Sequence, residues 1–179
     1  MKLVSVRKCD NYEYENVKKS VDKMLKDIGG IEKYIKLNSK VLIKPNLLMK
    51  KRPEEATTTH PMVVKVVCEK LLDLNCKVII ADSPGGPYTI NSLKSIYKAS
   101  GIEEVADELG VELNYDISEV KIENPKGHAL KYMDIIKPIT EVDHIVNLCK
   151  LKTHQMATFT GGTKNLYGCI AGLKKAEIH

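Results

Sequence analysis

Three short apolar runs, at residues 41–43, 77–81 and 143–148, each give way within a residue or two to lysine, aspartate, glycine or proline. Runs of this kind, apolar without polar alternation, suit strands buried on both faces, the habit of a parallel sheet lying between other layers. The stretches between them have helical periodicity. Residues 16–28 place Val17, Val21, Met24, Leu25 and Ile28 on one face, and Gly29 and Gly30 stop that helix. Pro61 opens an apolar helix over 62–74, while 92–100 and 102–109 read as two short helices divided by Gly101. Weaker strand patterns at 3–7, 112–116 and 120–123, a turn at NPKGH and a helix from Asn165 onward complete the reading. The expected fold is an α/β three-layer sandwich with a mainly parallel or mixed sheet, in one domain over 1–179, its right-handed crossovers covering both faces.

Composition narrows the function classes without naming one. No run approaches the eighteen or so apolar residues that cross a bilayer, and the N-terminus has no signal-peptide apolar region, so a soluble, cytoplasmic chain without a membrane partner is expected. The five cysteines, at 9, 68, 76, 149 and 169, include no C-x-x-C pair. That argues against disulfides and zinc ribbons, and Cys68 and Cys149, inside apolar patterns, read as small buried hydrophobes. A net charge of +5 permits an anionic partner. Nucleic acid is disfavoured, because no Trp and a single Phe leave few stacking platforms.

In an open parallel sheet the ligand crevice lies beyond the carboxyl ends of the strands, which directs attention to three exits. Lys44 and Asn46 follow the first buried run; Asp82, Ser83, Gly85 and Gly86 follow the next. Lys150, Lys152 and His154, then Thr160, Gly161, Gly162, Thr163, Lys164 and Asn165, follow the last. TGGTKN before a helix offers hydroxyls, a lysine and a helix N-terminus, which suits a phosphate or carboxylate. It lacks the spacing of a Walker A loop, and SPGGP lacks that of a dinucleotide turn. Alternation lets Lys150 and Lys152 face one ligand if Cys149 and Leu151 pack inward.

His154, among lysines and threonines, is the better acid–base candidate, kept neutral by the cations around it. His60, beside Pro61, reads as a helix cap or as a second proton carrier. Asp82 is placed to orient one of the two. His128 and His144 read as loop and structural residues. His60, Asp82 and His154 could in principle converge as the three ligands of a nickel- or zinc-dependent hydrolase, but no local ligand pair supports them and no metal site is expected.

Four phrases carry a resemblance: VLIKPNL at 41–47, TTTHP at 57–61, ADSPGG at 81–86 and NLCKLKTHQMATFTGGTKNLYG at 147–168. Together they resemble the domain of unknown function 362 family, often described as iron–sulfur cluster-binding because many members carry a ferredoxin-like module. The resemblance implies a shared pocket built from Lys44, Asn46, His60, Asp82, Ser83, Lys152, His154, Lys164 and Asn165, and names no substrate. Members usually run well beyond this chain's length, and the closely spaced cysteines of the ferredoxin-like module are absent here. No 4Fe-4S cluster is therefore expected on this chain alone. Such a module would come from a ferredoxin-like partner or a missing C-terminal segment, and an uncovered sheet edge would invite a homodimer.

The expected function is binding of a small phosphorylated or carboxylated ligand at the carboxyl edge of the sheet, as part of an iron–sulfur-linked redox or acid–base enzyme. The alternatives are a non-catalytic ligand-binding module and, last, a nucleic-acid binder.

Overall fold

The computed structural model describes residues 3–128, 130–154 and 158–177. Helix α1 (Tyr14–Asp27) leads into β1 (Lys40–Pro45), α2 (Pro61–Leu72), β2 (Lys77–Ile80), α3 (Ile90–Ala99), α4 (Ile102–Leu109) and a two-residue β3 (Glu112–Leu113). A hairpin of β4 (Glu119–Glu123) and β5 (Tyr132–Ile136) follows, then β6 (His144–Leu148). A second hairpin joins β7 (Lys152–His154) to β8 (Thr158–Thr160), and two single-turn helices, α5 (Gly162–Asn165) and α6 (Lys174–Glu177), flank a 3-10 turn at Leu166–Cys169.

The central sheet has the order β3-β2-β1-β6 and every pair is parallel. Its register sets Val41 beside Val78 and Ile43 beside both Ile80 and Val146. Because side chains alternate along a strand, Val41 and Ile43 enter the main core while Leu42 enters a second one. The main core gathers Val17 and Val21 of α1, Val64, Val67 and Leu71 of α2, and buried residues of α3 and α4. The second core joins Leu42 and Ala81 to Ile136 of the β4–β5 hairpin and to Ala171. This is an α/β sandwich around a parallel sheet, with helices over one face and a hairpin, a 3-10 turn and the 170–171 segment closing the other.

Three expectations about elements fail for physical reasons. Residues 3–7 form no strand: Val4 is 87% and Val6 80% exposed, so the alternation there finds no neighbouring strand to pair with. Strand β5 lies where no pattern was read, and it is held by pairing with β4 and by burial of Ile135 and Ile136. The polar run after β6 folds into the β7–β8 hairpin, and the helix expected from Asn165 begins at Gly162 and lasts one turn.

Candidate functional site

Leu42 and Lys44 share one face of β1, and at Lys44 the strand drives an ammonium into the interior, where it is fully buried. Asp82, the second residue after β2, receives it: Lys44 Nζ donates to Asp82 Oδ1, and the Leu47 amide donates to Asp82 Oδ2 at 3.0 Å. Burial of two opposite charges is tolerable only in such a bonded pair. Gly168 lies directly over them, and a Cβ there would run into both Asp82 Oδ1 and Lys44 Nζ. Asp82 is thus taken up by Lys44 and the Leu47 amide, while His60 is engaged with the Met62 amide instead.

An amide chain sets the next layer. Lys152 Nζ donates to Asn46 Oδ1 at 2.8 Å and to the Thr57 carbonyl at 2.6 Å. An ammonium only donates, which fixes Asn46 Nδ2 as the donor to Asn165 Oδ1 at 2.9 Å. Asn165 Nδ2 then donates to Asn147 Oδ1 at 2.7 Å, and Asn147 Nδ2 to the Gly162 carbonyl at 2.8 Å. The buried Asn165 therefore ties β1, β6 and the turn before α5 together. Thr59 closes the loop before α2: its hydroxyl accepts from the Asn46 amide and donates to the Leu148 carbonyl.

On this platform sits a cleft of about 190 Å³ at the carboxyl ends of β1 and β2, whose lining includes Asn46, Asp82, Ser83, Lys152, His154 and Lys164. Gly85, Thr160 and Asn165 also line it. Burial pushes the Lys152 ammonium below the ordinary lysine value, with Lys150 adding to the effect, and burial alone does the same at Lys164. The Lys164 ammonium stands 4.2 Å from the centre of the Tyr167 ring, a cation–π contact that steers it along the cleft wall.

Other sequence candidates lie elsewhere. Lys150 donates to the Tyr12 hydroxyl at 3.2 Å, because residues 149–151 are not strand and the alternation linking it to Lys152 breaks there. Cys149 and Leu151 are exposed rather than packed inward. His60 caps α2 by accepting the Met62 amide at Nδ1 and stacks on Tyr12, ring centres 3.8 Å apart. Burial, then Lys150, pushes its imidazole below the usual histidine range. Gly161 is not among the cleft's lining residues; it borders Phe159 and Leu151 instead.

Lys175 has no counterpart in the sequence reading. From α6 its ammonium reaches back to the loop after β2, donating to the Ser83 carbonyl, to Ser83 Oγ at 3.0 Å and to the Pro84 carbonyl at 2.8 Å. Burial lowers it to about 8. All three of its protons are engaged, so it staples that loop and lends the cleft positive potential without a spare donor. Only the terminal KK of an otherwise ordinary stretch marks it in the sequence.

The sequence profile of the "Domain of unknown function (DUF362)" family matches residues 41–179, more than half of the chain. The chain belongs to the DUF362 family. Among curated proteins, this DUF362 chain is 30% identical over 183 residues to the "Thylakoid-associated protein sll1697" of Synechocystis sp.. That match takes in 100% of the chain but 54% of the relative, so the DUF362 chain spans about half the length of the protein it resembles. No solved structure matches it. No described helix is long and apolar enough to cross a membrane.

The cysteines of this DUF362 chain do not suit an iron–sulfur cluster. Cys68 and Cys76 are buried in the main core, Cys9 and Cys149 are exposed, and Cys169 is half-buried near the Lys44–Asp82 pair. Burial pushes the Cys68 thiol up to about 12 and raises that of Cys169. Among the described residues no three His, Cys, Asp or Glu side chains come together as metal ligands.

Proposed function

We propose that this DUF362 chain binds a small anionic ligand in the cleft at the carboxyl ends of β1 and β2. The observation that carries the reading is the state of Lys152. Its half-buried ammonium is held by two neutral oxygens, which leaves one donor over, and among the described residues Asp82 offsets its charge only from a distance, without a bond to it. Asp82, the one acidic residue among the described residues lining the cleft, is already occupied by Lys44 and the Leu47 amide. An anion resting on Lys152 would relieve the cost of that half-buried cation, and the fields of Lys164 and Lys175 favour the same sign of charge.

One observation favours ligand capture over catalysis. Of the two residues expected to move protons, His60 serves as a cap, and Asp82, expected to orient one of them, is half of an ion pair, which leaves His154 at the cleft. In an enzymatic version of the reading His154 carries the proton, and electrons for any redox step come from another protein.

Thermal shift of the wild type and Lys152→Ala against phosphate, pyrophosphate and small carboxylates tests the proposal. A ligand at a hundred times its Kd adds about 2.7 kcal/mol to stability. A shift present in the wild type and lost in the variant supports an anion site, and the absence of any shift in the wild type removes it. Turnover that survives binding but disappears in His154→Gln would move the assignment from capture to catalysis.

A further inference from the structure

We infer that the anion suited to this cleft is a carboxylate on a small apolar body rather than a phosphoryl group. This rests on the anion-site reading above and sharpens it. Phosphate sites at strand-to-helix turns draw on backbone N–H groups and a helix N-terminus. Here several of the amides around the cleft are already engaged. The Ser83 amide donates to the Gly168 carbonyl at 3.0 Å, Gly85 to the Leu48 carbonyl at 2.6 Å and Asn165 to the Gly161 carbonyl at 2.9 Å, while the Gly172 amide is taken by Ser83 Oγ at 2.9 Å. Helix α5 has four residues and supplies no useful dipole. Among the described residues no arginine lines the cleft, so the bidentate fork that matches phosphate oxygens is missing too.

The side chains lining the cleft include two chemically distinct groups. Lys152 and Lys164 bring positive charge, with His154 beside them in the lining; Leu48, Pro84 and Tyr167 bring apolar surface, Tyr167 directly against the Lys164 ammonium. Leu48 is the informative member. Its backbone sits at φ 48°, a left-handed conformation that a leucine rarely adopts. The Gly85 amide holds it there, and the strained residue places a branched apolar side chain in the lining of a cleft otherwise rich in lysine. Gly85 and Gly168 add surface without side chains. At about 190 Å³ the space is below that of a drug-sized site, about 300 Å³ or more, so the body must be short.

Calorimetric titration of the wild-type chain with acetate, propionate, butyrate, hexanoate and benzoate, alongside phosphate, pyrophosphate and butanol, tests the inference. The expected result is carboxylate binding that tightens about two- to fourfold per methylene from acetate to butyrate, with phosphate and butanol at least tenfold weaker than butyrate. Leu48→Gly, which suits the left-handed backbone, should keep acetate binding and flatten the series. A flat series in the wild type, an undiminished slope in Leu48→Gly, or phosphate binding tighter than every carboxylate overturns the inference while the anion site stands. Failure of every anion to bind overturns the anion site itself.

Discussion

The Lys44 ammonium and the Asp82 carboxylate meet as a buried ion pair joining the ends of two adjacent parallel strands, with the backbone of Gly168 as its lid. Removing one member of such a pair strands the other's charge. Asp82→Asn should therefore cost about 3–5 kcal/mol in urea unfolding, whereas Lys44→Met with Asp82→Leu should recover most of that loss. A double-mutant cycle giving no coupling between the two positions would contradict the pairing.

Gly168 and Gly86 make a controlled contrast. At Gly168 an added methyl strikes Asp82 and Lys44, while at Gly86, with φ 91°, nothing lies within 4 Å. Gly168→Ala is expected to lose at least about 1–3 kcal/mol through overpacking, and Gly86→Ala about 1 kcal/mol through its backbone alone. Thermal melts of both variants decide the order.

His60 and His154 should separate cleanly. His60→Ala removes a helix cap and a ring stack, so stability should fall by about 1 kcal/mol with anion affinity unchanged. His154→Ala should weaken anion binding instead. Paired melting and titration experiments on the two variants check this.

The pH dependence follows from Lys175, whose ammonium is lowered by burial from 10.5 to about 8. Below about 8 both folded and unfolded chains hold the proton; between about 8 and 10.5 the unfolded chain holds one that the folded chain has released. Stability contributed at this position therefore rises with pH across that window. The difference in unfolding free energy between wild type and Lys175→Met should grow from pH 8 to 10.5 and level off outside it. Anion binding opposes the release, so affinity should weaken above about pH 8, with proton uptake visible as a buffer-dependent heat.

Strands β1 and β2 were legible because burial in the middle of a sheet writes itself as an apolar run, whereas β6, legible from its Ile145–Val146 pair, is an edge strand whose Ile145 is 41% exposed, so the expected burial on both faces fails there. The ends of those runs also marked Lys44, Asn46, Asp82 and Ser83 as neighbours of a crevice. Their partners were not legible, because whether Asp82 meets a histidine or a lysine depends on which strands lie side by side, and that is long-range information. Lys150 misled for a local reason: period-two alternation holds only within a strand, and β6 ends at Leu148. The β7–β8 hairpin escaped because its short strands, KTH and TFT, carry no apolar pattern. Lys175 escaped because a lysine in a short polar stretch carries no signal of what it will reach.

The Lys175 staple has a dynamic consequence. Ser83 and Pro84, on one side of the cleft, are held by three hydrogen bonds from a single-turn helix, whereas the sheet beneath is held by the whole core. Regions of such unequal support open separately, the weaker at lower free energy. Amide exchange at Gly172, whose proton is bound by Ser83 Oγ, should then run faster than exchange along β1 and slow down when a ligand is added. Occupancy would register as protection spreading from the sheet into the last helical turn, with no rearrangement of the strands.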